Sequence, residues 1–157
     1  GGVWFGVVFA ADVAKGAAAV AAAQYMGLGL LAQAGCMFAV LCGHLWPVQL
    51  GFRGGKGIAT FSGAALVFDY QYFFCLLFLS VVFLIALRRF TLSGLVALAL
   101  TPFVGWALSR WLGWTWDRAW QETLGLSLAS ALTVAAHWRN IREMLAPAGQ
   151  RLAADDR

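Results

Sequence analysis

Six apolar runs, Val3–Ala23, Ala34–Leu50, Ile58–Phe68, Phe73–Leu87, Leu92–Leu108 and Leu124–Ala136, take up most of the chain. A helix that crosses the hydrocarbon core of a bilayer needs about 20 predominantly apolar residues. Several runs approach that length, while Ile58–Phe68 falls well short of it. With 62% hydrophobic and 11% charged residues in a 157-residue chain, the apolar surface exceeds what a soluble core of this size could bury. Lipid leaves no water to satisfy backbone groups, so helices are expected rather than open strands. The predicted fold is therefore all-α: one polytopic integral membrane bundle of short helices over residues 1–157. The chain begins without Met and shows no charged segment ahead of a cleavage site, which predicts a piece starting inside a longer protein.

Charge placement orients the runs. If Ile58–Phe68 and Phe73–Leu87 both cross, Arg53 and Lys56, Arg88 and Arg89, and the tail arginines 139, 142, 151 and 157 share one face. That face holds eight of the eleven Lys/Arg residues. The positive-inside rule then predicts that this face is cytoplasmic. Trp111, Trp114, Trp116 and Trp120 fall opposite, where they read as an interfacial belt. Cys36, Cys42 and Cys75 lie in apolar runs without metal-ligand spacing and read as packing residues, so no metal site is expected.

The stretch "GFRGGKGIAT", Gly51 to Thr60, interrupts this pattern with four glycines and two cations. Glycine tolerates positive φ and close backbone approach, and successive amides in such a turn make a concavity for anions. The N-terminus of a helix resuming near Ile58 would add partial positive charge to that of Arg53 and Lys56. The spacing is not that of a Walker A loop, which needs four residues between its first glycine and the Gly-Lys pair. A plain flexible loop whose cations serve only topology is the competing reading. Asp12 and Lys15, three apart on one helix face, can neutralise each other or support a polar cavity, and both readings stand. His44 and Pro47 precede the loop, with Pro47 expected to end the incoming helix. His137 and Asn140 follow the last run and can bind hydroxyls or phosphate oxygens, the imidazole also carrying a proton.

In order and spacing, "GHLWPVQLGFRGGKGIAT", "DVAKG" at Asp12–Gly16 and "HWRNI" resemble the signatures of the bacterial acyl-phosphate:glycerol-3-phosphate acyltransferases, the PlsY family. The resemblance implies a small inner-membrane enzyme with its active-site loops facing the cytoplasm. Such an enzyme makes lysophosphatidate from glycerol-3-phosphate and acyl phosphate, with no cofactor, no metal and no nucleic-acid partner. It implies catalytic roles for Lys56, His137 and Asn140, and substrate or phosphate binding by His44, Arg53, Gly54, Gly55, Lys56, Gly57 and Thr91. Three departures accompany it. The family's Ser-bearing first signature would lie ahead of Gly1, Gly149 stands where the third signature usually reaches a Glu, and Arg53 replaces a common Lys. The rival function is a small transporter or anion-binding membrane protein, since a charged pair inside a span and a helix broken near Gly51 would suit a solute path.

Overall fold

A computed structural model describes residues 2–145, and Gly149, Arg151 and Arg157 lie outside them. The described residues form eight α-helices and one 3-10 turn, with no strand among them. Helix α1 is Gly2–Tyr25 and α2 is Leu30–Leu45, followed by the turn Val48–Leu50. Next come α3 (Ile58–Phe68), α4 (Tyr70–Leu87), α5 (Phe90–Ala99) and α6 (Thr101–Trp111). Helices α7 (Trp116–Ala136) and α8 (Trp138–Leu145) complete the bundle. By length and composition α1, α2 with its following turn, and α4 can each cross a membrane, as can the bent pair α5–α6 taken together.

The apolar runs and the helices differ at three places. Leu92–Leu108 is two helices meeting at 57°, because Pro102 at the start of α6 cannot continue the helical hydrogen bonding of α5. At the break the Tyr72 hydroxyl donates to the Thr101 carbonyl, and Thr101 Oγ1 lies 2.9 Å from Ser130 Oγ. These partners satisfy polar groups inside the bundle. Ala34–Leu50 stops being α-helical at Leu45, with Pro47 just beyond, as expected of that proline. Leu124–Ala136 is the latter part of α7, which starts eight residues earlier, where the Thr115 side chain accepts from the Arg118 amide.

Helix α3 is the central element. Its 11 residues reach about 16 Å, roughly half the hydrocarbon thickness. It is surrounded by α1, α2, α4 and α7, and Thr60, Phe61, Gly63, Ala64, Ala65 and Phe68 are buried. Neighbouring protein, not lipid, therefore covers its ends. Glycines allow the tightest of these contacts: a Cβ at Gly16 would collide with the Thr60 carbonyl, and one at Gly63 with the Val13 carbonyl. Gly57, at the start of α3, lies beside Thr133, whereas Asp69, just past its end, faces Arg118. Thr133 and Arg118 lie about 22 Å apart along α7, so the two ends of α3 face opposite ends of that helix. Phe90, after α4, again lines a cavity with Lys56. The Gly-rich loop and the Arg88–Arg89 turn accordingly share one end of the bundle.

Candidate active site

Beside the Gly-rich loop lies a cavity of about 290 Å³. Asp12 comes from α1, His44 from the last turn of α2, Gly55, Lys56 and Gly57 from the loop, and His137 from the junction of α7 and α8. The rest of the lining is apolar, including Phe5, Val8, Phe9, Ile58 and Phe90. A lining that combines cationic and polar groups with apolar side chains suits a ligand with an anionic head and a hydrocarbon tail.

The loop is built differently from a simple glycine nest. Gly51 and Gly57 have φ of 60° and 87°, while Gly54 and Gly55 are absent from the positive-φ residues. Their amides donate instead to the Leu45 carbonyl at 3.1 Å and the His44 carbonyl at 3.2 Å, which α2 leaves free at its C-terminus. They are therefore not free to form the anion concavity expected of them. What requires glycine there is space: a Cβ at Gly54 would collide with the His44 carbonyl, and one at Gly55 with the His44 ring. The donors that remain belong to the start of α3, where Gly57 supplies no side-chain cap, and Ile58 and Ala59 line the cavity. Unsatisfied amides at a helix N-terminus attract anions.

Lys56 Nζ donates to Asn140 Oδ1 at 2.8 Å across 84 residues of sequence. This partner is neutral, so the ammonium is oriented without being neutralised. A unit charge 4 Å away would interact with it by about 4 kcal/mol at an effective dielectric constant of 20, against about 1 in water. His137 is buried, and its Nδ1 lies 2.8 Å from the Thr133 carbonyl oxygen. A carbonyl can only accept, so Nδ1 carries the proton and Nε2 keeps a lone pair. Burial holds the His137 pKa below the usual imidazole value, and the positive charge of Lys56 pushes the same way, while the bond to Thr133 opposes both.

On α1 the charged pair serves both readings offered by its spacing. Lys15 Nζ is 2.6 Å from Asp12 Oδ1 and 2.6 Å from His44 Nδ1, so the pair neutralises itself while Asp12 lines the cavity. The structure brings together Lys56, His137, His44, Gly55 and Gly57, with Asn140 behind Lys56 and Gly54 behind His44. Arg53 is exposed on the loop, and neither it nor Thr91 lines the cavity, although Thr91 follows Phe90. Asp12 lines the cavity that its charged pair was expected to support, whereas Phe90 is a cavity residue the sequence did not single out. The "DVAKG" stretch was a signal for Asp12, whereas nothing marked Phe90 out among 12 phenylalanines.

Across 138 residues the chain is 33% identical to the glycerol-3-phosphate acyltransferase of Pseudomonas paraeruginosa, covering 86% of this chain and 66% of that protein. It is 36% identical over 140 residues to glycerol-3-phosphate acyltransferase 1 of Desulfitobacterium hafniense, covering 89% of this chain and 65% of the relative. The chain thus spans just under two thirds of the length of these relatives. The fold matches the crystal structure of PlsY (YgiH), an integral membrane glycerol 3-phosphate acyltransferase, in its glycerol 3-phosphate form. That match has a TM-score of 0.70 at 23% identity and covers 88% of this chain and 66% of the other. The family model for glycerol-3-phosphate acyltransferase matches residues 1–147, and the chain belongs to that family of membrane proteins.

Proposed function

We propose that this chain forms a transmembrane acyltransferase domain, part of a longer protein, that acylates the 1-hydroxyl of glycerol-3-phosphate from acyl phosphate. The products are lysophosphatidate and inorganic phosphate. The observation that carries this reading is Lys56 beside neutral Asn140, a cation with no carboxylate partner among the described residues, in a cavity lined by several phenylalanines. The acyl tail lies against Phe5, Phe9 and Phe90, and the phosphates face Lys56 and the start of α3. Arg53, outside the wall, adds to the attracting field, and Thr91 borders the site through Phe90. With the cation-rich end facing the cytoplasm of a bacterial inner membrane, both soluble and lipid-borne substrates reach the same mouth.

The chemistry is direct transfer. The glycerol oxygen attacks the acyl carbonyl carbon, the bond from that carbon to the phosphate oxygen breaks, and phosphate departs with the bonding pair. The hydroxyl proton passes to His137 Nε2 or to the departing phosphate. Acyl phosphate is a mixed anhydride with a good leaving group, so the residues mainly supply position and charge. The test supplies the full-length protein in detergent with radiolabelled glycerol-3-phosphate and a long-chain acyl phosphate. Labelled lysophosphatidate is expected. Its absence, together with uptake of label into sealed proteoliposomes, would favour transport instead.

A further inference from the structure

Two histidines line one cavity, and their ring partners are of opposite kinds. His137 Nδ1 faces a carbonyl, whereas His44 Nδ1 faces the Lys15 ammonium at 2.6 Å. An ammonium only donates, so His44 Nδ1 must offer its lone pair and the ring proton must sit on Nε2. Asp12 Oδ1, at 3.5 Å from the same Nδ1, is the more distant partner, and it holds Lys15 at 2.6 Å. The Nε2 side of the ring lies against Gly55, and the His44 carbonyl accepts the Gly55 amide at 3.2 Å, so ring and loop are fixed as one unit.

We infer that Lys15, anchored by Asp12, sets His44 in the Nε2–H form and so makes it a hydrogen-bond donor to a phosphate oxygen in the cavity. One histidine then donates while the other accepts. Without Lys15, the His44 proton can move to Nδ1 and pair with Asp12. Nε2 would then present a lone pair to the phosphate and repel it. Lys15 is thus a positioning residue acting through His44. This assignment rests on the acyltransferase reading only for which phosphate is bound.

The test records ring 15N resonances of histidine-labelled full-length protein in nanodiscs, without ligand and with inorganic phosphate or glycerol-3-phosphate. In the unsubstituted protein His44 should be protonated at Nε2, and either phosphate should shift that nitrogen. Lys15→Met should move the proton to Nδ1 and raise the KM for glycerol-3-phosphate about tenfold, with kcat changing less, as expected for one lost charge-assisted hydrogen bond. Lys15→Arg should keep the Nε2–H form. Protonation of His44 at Nδ1 before any substitution would overturn the proposal, even if Lys15→Met fails to fold. So would a Lys15→Met protein with unchanged tautomer and KM. The tautomer is read without turnover. Expected shifts in a protein that makes no lysophosphatidate would therefore defeat only the acyltransferase reading.

Discussion

The two ends of the bundle both carry ionised side chains, and they treat them in opposite ways. At the far end Arg118 stands between two carboxylates, with Nε 2.7 Å from Glu122 Oε1 and Nη2 3.5 Å from Asp69 Oδ2. Its guanidinium also lies 4.5 Å from the centre of the Trp114 ring. Asp69 in turn caps α4 by accepting the Tyr72 amide at 2.7 Å. There Arg118, Asp69 and Glu122 are tied to one another and, through Asp69, to the joint between α3 and α4. At the near end Asp12 and Lys15 pair as tightly, but among the described residues Lys56 has only the neutral Asn140. In a membrane protein a cluster that closes on itself holds helices together, whereas a cation left with a neutral partner is available to a ligand.

Several substitutions probe this contrast. The largest kinetic effect is expected from Lys56→Ala, which removes the uncompensated charge. By analogy with the loss of one transition-state donor, turnover in a lysophosphatidate assay should fall about 100- to 1,000-fold with little change in melting temperature. Near-normal rates would remove Lys56 from the chemistry. Arg118→Met should do the reverse: it strands two buried carboxylates and costs about 3–5 kcal/mol of stability, seen as a lower thermal midpoint in detergent. The fraction that stays folded should keep kcat/KM close to that of the unsubstituted protein. If kcat/KM collapsed at unchanged midpoint, the far end would not be structural.

Titration of His137 sharpens the comparison further. Its pKa is lowered in the folded protein, so below the ordinary imidazole value of about 6.5 the unfolded chain binds more protons. Its contribution to stability is therefore complete above that value and lost as pH falls towards the folded pKa. An acid limb of kcat/KM should lie below pH 6.5 and disappear in His137→Gln if this imidazole accepts the proton. An unchanged limb would assign the proton to the departing phosphate. The smallest effect is expected at exposed Arg53, where Arg53→Ala should lower kcat/KM about threefold at low salt and less at high salt, through weaker steering.

Much of this was legible from the residues alone, because lipid imposes strict rules on a chain. Apolar runs predicted the helices, Pro47 predicted the end of α2, and the "HWRNI" stretch marked the residues that meet Lys56. The glycines show where such reading stops. Gly54 and Gly55 look like Gly51 and Gly57 on paper, yet one pair makes room for His44 and α2 while the other turns the backbone. That distinction depends on neighbours that sequence position does not specify.

By itself the sequence determined that this chain is a helical membrane protein with a cationic loop among its spans, because apolar content and the cost of bare backbone in lipid are properties of composition and order. Only the tertiary structure decided which charges cancel. Lys15 meets His44 across 29 residues, and Lys56 meets Asn140 across 84. Whether a cation is spent on a carboxylate or left facing a cavity depends on a few ångströms of separation, and packing sets that separation.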